Sequence, residues 1–365
     1  MRQLLASFAC RSARRAAYLG ACLSATLLMS AAAQADDWAA FKSAHLSKDG
    51  AVTDDHAEIV HSEGQSYAML LAVKHGDKTT FDAAWSFAKT HLRRDDGLFS
   101  WKYQDGQVAD ENNASDAEIV MAWALVEAAK AWGGPYMAEA SDLLTLIRAR
   151  LIVERPDPAD PERSLLLILP GVSGFAGPAA AESENAEETA LSRTDDPHGP
   201  ITLNPSYWVF PAFDAFAGID DPLYWSEVAR SGERLIELAG ARGLTPDWLS
   251  YPSLDPAPGF SSRSSYDALR VPLWLAWSGR ASPSFAAWRQ LWHERQTAWI
   301  NSTTGEIAPY APGPEQLAVL ALLDRVASAP GVHPSGLPAI GIRTPYYAAA
   351  IVQLARLAWK ERFAE

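Results

Sequence analysis

From Asp36 onward, apolar residues recur at helical spacing far more often than they alternate. Phe81, Ala84, Trp85 and Ala88 make one such face, within a helix predicted over 79–91 that Gly76-Asp77 separates from another over 66–75. Ile119, Ala122, Trp123, Val126 and Ala129 define the clearest helix, 115–132. The same pattern predicts helices over 137–153, 222–239, 265–277, 284–300, 315–327 and 345–362. Strand-like runs are few and short, such as 97–101. Helices of one to two dozen residues joined by polar loops predict an all-α chain of stacked hairpins.

One helix start is written as a local signal. In HSEGQSYAML, Ser62 is followed three residues later by Gln65, just ahead of an apolar run. That is the sequence form of a capping box, each side chain satisfying the other's unpaired backbone donor. Glu63 then reads either as a first-turn acid favoured by the helix dipole or as a chemical group held at a rigid helix start.

Two polar stretches interrupt the helical pattern. Residues 171–200 are small, acidic and rich in Pro and Gly, too poor in apolar surface to order themselves strongly. Helical hairpins continue on both sides, so this reads as a surface insertion within one domain, 36–365. Residues 244–264 carry Pro246, Trp248, Tyr251, Pro252, Pro256, Pro258 and Phe260. They read equally as a rigid ligand-facing loop and as a packed connector.

The front of the chain has another character. Arg2, Arg11, Arg14 and Arg15 precede a mostly apolar run to Met29, and Ala33-Gln34-Ala35 has a small-x-small cleavage form. Residues 1–35 are therefore expected to be a signal peptide, giving a periplasmic or secreted chain that starts at Asp36. Arg14-Arg15 admits a twin-Arg route beside the general secretory one. Cys10 and Cys22 both lie in this leader, which excludes disulfides and cysteine chemistry from the mature chain. Removing the leader's four Arg from 31 basic residues leaves 27 against 44 acidic ones, −17 with His neutral. Nucleic acid and anionic membranes are poor partners for that charge.

Candidate chemistry narrows by elimination. The chain has no His-Glu-x-x-His zinc motif, no Gly-x-Ser-x-Gly elbow, no phosphate loop with Lys and no EF-hand loop, so neither metal nor cofactor is expected. What remains is carboxylates among aromatics and amides, with fourteen Trp whose flat faces suit cores and sugar rings alike. That inventory suits glycoside hydrolysis, in which one carboxylic acid protonates the leaving oxygen and a second carboxylate activates water or attacks the sugar. Glu63, Asp116 and Asp267 have suitable settings. Each also has a plain structural reading: a first-turn acid for Glu63 and Asp116, and a helical pair with Arg270 for Asp267.

HSEGQSYAMLLAV, DDGLFSWKY, ASDAEIVMAWALVEAAKAW, LNPSYWVFPAF and SSYDALRVPLWLAW occur in the order and approximate spacing of glycoside hydrolase family 8, and the chain resembles that family over its mature length. Residues 114–132 match the family's long signature at every restricted position but Glu118, where Asp is usual. Ala68 stands where Gly is usual. The resemblance implies an (α/α)6 barrel, with Glu63 as general acid, Asp267 as general base of an inverting reaction, and Asp116 gripping and distorting the sugar. It implies sugar-cleft positions at Trp101, Tyr207, Tyr266 and Arg270.

The substrate class implied is a β-1,4-glucan cut internally, as by the periplasmic endoglucanases that accompany bacterial cellulose synthesis. The synthesis machinery would then be a partner. Chitosan, xylan and mixed-linkage glucan are the alternatives within the family, and a glucan-binding protein without turnover is the alternative outside it.

Overall fold

The computed structural model describes residues 37–176, 200–241, 243–328 and 336–363. The predicted leader and most of the predicted insertion, 177–199, lie outside these residues.

The chain is helix-rich. A helix over 37–45 (α1) leads to strands β1 (Thr53–Asp54) and β2 (Ile59–His61), then helices α2 (Ser62–Lys74) and α3 (Lys78–Phe87). Strands β3 (Ser100–Gln104) and β4 (Gln107–Asn113) precede α4 (Ser115–Trp132) and α5 (Tyr136–Arg150). A hairpin, β5 (Ile152–Asp157) with β6 (Asp160–Ile168), is followed by β7 (Ile201–Leu203), α6 (Phe210–Ala217) and α7 (Pro222–Gly240). The last third holds β8 (Leu249–Tyr251), β9 (Arg263–Ser264), α8 (Arg270–Trp277), α9 (Ser284–Arg289), β10 (Ile300–Asn301), α10 (Pro314–Ala327) and α11 (Tyr346–Phe363).

Helices of two kinds alternate. In α2, α4 and α8 nearly every residue is buried, from Gly64 to Val73, Ser115 to Val126 and Arg270 to Trp277. A helix buried all round belongs to an inner layer. The single apolar face expected of 115–132 is thus only part of what α4 buries. By contrast α7 is one-sided, burying Trp225, Val228, Ala229, Gly232, Leu235 and Ile236 while its other face is open. Neighbours in sequence pack as pairs, α2 with α3, α4 with α5, α6 with α7 and α10 with α11, and α2 also packs on α4.

The expectation of an all-α chain misses the short strands. The first four form one antiparallel sheet in the order β1-β2-β3-β4, with Val60 opposite Tyr103 and Ser100 opposite Asn113. β1 and β2, of two and three residues, have no room for an alternating pattern, and β4 is mostly polar, so no such period is there to detect. Their placement matters: β2 runs into α2, β4 ends just before α4, and β9 ends just before residues 265–269.

Several predicted boundaries also move. The helix predicted over 137–153 gives way to β5 at Ile152, and those over 79–91 and 284–300 close in π-helical turns, Ala88–Leu92 and Gln290–Glu294. The helix predicted over 265–277 begins only at Arg270.

The capping box is absent. His61 is the N-cap of α2, its Nδ1 accepting from Gly64 N–H at 3.0 Å. Gln65 is pulled inward, its Oε1 accepting from Val52 N–H and its Nε2 donating to Gly50 O and Ala84 O. Ser62 is buried at the first helical position, where its hydroxyl has no hydrogen-bond partner among the described residues. A tertiary demand for a buried amide has overridden the local motif. Gly64 has a packing role too, since an added Cβ would stand 3.2 Å from the Tyr346 hydroxyl and 3.4 Å from the His61 ring.

Candidate active site

Each of the three acids follows a short strand. Glu63 lies two residues past β2, Asp116 three past β4 and Asp267 three past β9. Pairing holds those strand ends in register, and the acids follow directly from them.

The three converge on one cation. Arg270 Nη1 donates to Glu63 Oε2 at 2.6 Å, to Asp116 Oδ2 at 2.8 Å and to the Tyr67 hydroxyl at 3.0 Å, while Nη2 donates to Asp267 Oδ1 at 2.5 Å. The i, i+3 pairing of Asp267 with Arg270 predicted from spacing is present, but it is one spoke of a hub. The planar fork of a guanidinium suits this many acceptors; a single ammonium would not. Exposure rises outward, with side-chain values of 2% for Arg270, 5% for Asp116, 19% for Glu63 and 32% for Asp267. Glu63 and Asp267 are therefore the two that a ligand or a water can reach, with Asp116 beneath them.

Full ionisation would leave two net negative charges here. Burial and the nearby Glu63 charge push Asp116 up to about 6 against the pull of Arg270. The Asp116 carboxyl thus holds its proton above the ordinary carboxylate range. Burial pushes Tyr67 and Tyr207 well above the ordinary phenol value, so both stay neutral.

Aromatic rings line the same region. Trp248 donates its indole N–H to Asp267 Oδ2 at 3.1 Å and stacks between Phe175, at 5.9 Å, and Phe260, at 4.4 Å. The loop 244–264 therefore reaches the acids and is no plain connector. Tyr207, one of the expected cleft residues, is nearly buried, edge-on to Trp248 and 5.7 Å from the Arg270 guanidinium. Tyr266 is exposed, with its carbonyl accepting from the Tyr347 hydroxyl and its own hydroxyl 3.4 Å from that of Tyr310. Trp101, half-buried on β3, follows from the register that sets His61 opposite Lys102, which puts it beside the start of α2. It lies outside the Arg270 hub.

The signature departure Glu118 serves the walls of the site. Its Oε1 accepts from Phe99 N–H at 3.0 Å and its Oε2 from Asn113 Nδ2 at 2.9 Å, tying α4 to β3 and β4. Asn113 Oδ1 in turn accepts from Val172 N–H. Burial drives the Glu118 carboxyl up to about 8. Among residues that sequence reasoning left without a site role, Tyr67 joins the hub and Asp247 braces the segment carrying Asp267, through Ser265 and Ala268. Tyr67 had a signal, its place in the motif around Glu63; Asp247 in an irregular loop had none.

The profile of "Glycosyl hydrolases family 8" matches residues 11–180 and 196–308. The chain belongs to glycosyl hydrolases family 8. This family 8 hydrolase is 33% identical over 353 residues to a probable endoglucanase of Novacetimonas hansenii, covering 90% of this chain and 92% of that one. It is also 33% identical over 296 residues to an endoglucanase of Cellulomonas uda, covering 77% and 75%. Among solved structures it resembles the endo-β-1,4-glucanase CMCax of Acetobacter xylinum, at 29% identity with a TM-score of 0.73, covering 90% of this chain and 98% of that one. The endoglucanase Cel10 of Klebsiella pneumoniae gives 30% identity and a TM-score of 0.74, covering 89% and 99%.

Proposed function

We propose that this family 8 hydrolase is an endo-β-1,4-glucanase that cuts internal bonds of a glucan chain with inversion, on an (α/α)6 barrel. The observation that carries this reading is the Arg270 hub, which gathers Glu63, Asp116 and Asp267 at one aromatic-lined spot. The relatives named as endoglucanases, and the solved endo-β-1,4-glucanase, support the choice of linkage. Alternation of fully buried and one-sided helices, packed in sequential pairs, supports the barrel.

The chemistry needs one carboxylic acid and one carboxylate flanking the scissile bond. Three acids on one cation favour that mixed state, because they resist losing every proton together. Glu63 gives its proton to the leaving glycosidic oxygen. Asp267, which accepts from both Arg270 and Trp248 and is the most open of the three, takes a proton from the water that attacks the anomeric carbon on the opposite face. The C–O bond to the leaving sugar breaks as the bond to water oxygen forms. Asp116 lies below, where it hydrogen-bonds and distorts the sugar beside that bond. One guanidinium bridges acid and base, Nη1 on Glu63 and Nη2 on Asp267. Tyr207, Tyr266 and Trp101 serve as cleft contacts.

The biological setting we infer is export, with the leader removed near Ala35, and action on glucan made by cellulose-synthesis machinery. No helix among the described residues is long and apolar enough to cross a membrane. The test is a panel of initial rates with purified protein on carboxymethylcellulose, chitosan and xylan. Fastest cleavage of carboxymethylcellulose is expected, and faster chitosan or xylan cleavage would replace the substrate. Glu63→Gln should abolish reducing-end release while glucan binding persists. A wild type that releases no reducing ends from any β-glucan would leave a binding protein instead.

A further inference from the structure

Asp247 is a buried carboxylate with no part in the reaction above, and its side chain is spent on the segment that carries Asp267. Its Oδ1 accepts from the backbone N–H of Ser265 and of Ala268, each at 2.8 Å, and its Oδ2 accepts from the Ser265 hydroxyl. Its own N–H donates to Arg263 O at 2.7 Å, which ties the loop to β9. The following residue, Trp248, holds the Asp267 carboxylate directly. Two consecutive residues thus grip Asp267 from behind, one by the backbone and one by the side chain.

These bonds explain why α8 begins at Arg270. The amides at 265 and 268 are satisfied by a carboxylate from a distant loop, as an N-cap would satisfy them, so Asp267 sits in a turn with its side chain directed to Arg270. They do not require a charge. An Asn oxygen would cap the same two amides without setting a second negative charge beside Asp267, and that charge is costly to bury. Burial and the repulsion from Asp267 push Asp247 up to about 6.

We propose that Asp247 is the positioning residue of the general base: it sets the 265–268 turn so that Asp267 faces the attacking water. This rests on the reading of Asp267 as that base. The charged groups around the pair are Arg270 on α8, Glu63 on α2 and Asp116 on α4; the Arg263 guanidinium is turned away, 3.8 Å from the Trp299 ring.

Asp247→Ala and Asp247→Asn, made in the full chain, are to be compared for kcat and KM on a soluble β-1,4-glucan from about pH 4 to 9. Loss of the brace in Asp247→Ala should lower kcat about a hundredfold with KM within about threefold, the size expected of a misplaced reacting group. Asp247→Asn, which keeps an oxygen for both amides, should recover at least about tenfold of that loss. Equal losses in both variants, or a defect confined to KM, overturns the proposal. If Asp247→Ala fails to fold, kcat of Asp247→Asn decides alone: a value within about tenfold of wild type supports the brace, and a loss of about a hundredfold overturns it. Asp267→Asn run alongside separates the two readings: full activity there removes the base assignment itself, and with it this proposal. An inactive Asp267→Asn beside unaltered Asp247 variants removes only the role of Asp247.

Discussion

Glu63 and Asp267 share one guanidinium, Arg270 giving Nη1 to the first at 2.6 Å and Nη2 to the second at 2.5 Å. Acid and base are thus bridged by a cation, and a change in the charge of one is felt by the other.

Removal of that cation leaves three carboxylates facing one another. Arg270→Ala should lower kcat/KM on soluble glucan at least a hundredfold, the scale of losing a preorganised electrostatic group. The acid limb of its pH profile should move up, since carboxylates without a nearby cation keep their protons to higher pH. Thermal or denaturant unfolding should show a loss of about 3–5 kcal/mol, as for a buried ion pair stripped of one partner. Arg270→Lys should recover little activity, because a point charge cannot span the fork. An unmoved acid limb in Arg270→Ala would contradict this account of the hub.

Glu118 makes stability depend on pH. Its folded carboxyl holds a proton up to about pH 8, against an ordinary value of 4.5, so the folded chain binds the extra proton. Stability from this group is therefore greatest at acid pH and falls as pH rises from about 4.5 through 8, by a few kcal/mol at most. The unfolding midpoint of Glu118→Gln, followed from about pH 5 to 8, should fall less steeply than that of wild type. Equal slopes would show that the buried carboxyl is already ionised across this range.

Trp248 combines a hydrogen bond to Asp267 with stacking on Phe175 and Phe260. Trp248→Phe keeps the ring and deletes the N–H, so kcat should fall about tenfold, the value of one hydrogen bond to a charged group, with KM little changed. Trp248→Ala should raise KM as well. A Trp248→Phe enzyme with wild-type kcat would remove the indole from the mechanism.

The start of α2 offers a test of its cap. His61→Ala should destabilise the protein by about 1 kcal/mol and His61→Asn, itself a good N-cap, by less. Ser62→Ala should be nearly silent, whereas a capping box would make it costly. The unfolding midpoints of the three variants separate the arrangements.

These cases mark what the chain disclosed in advance. The limits of α4, 115–132, are those its apolar spacing predicts, because a long inner helix repeats its period five times. The acids were visible in their motifs, and their convergence on Arg270 was not, since it joins three segments far apart in the sequence. Local signals failed where tertiary contacts compete for the same groups: Gln65 serves Val52, Gly50 and Ala84, and Asp247 takes the amides that would have begun α8 five residues earlier. The hairpin β5–β6 escaped because its buried end, Leu165 to Ile168, reads as an apolar run without clear alternation.

The central claim is that Glu63 and Asp267 act as an acid and base on opposite faces of the sugar. Proton NMR of the first reducing end released from a cello-oligosaccharide, recorded before mutarotation, tests it most directly. Inversion at a β-1,4 bond predicts that the α-anomer appears first and then relaxes toward the β-anomer. Initial release of the β-anomer would mean retention, which requires a nucleophile on the enzyme and contradicts the roles assigned to Glu63 and Asp267.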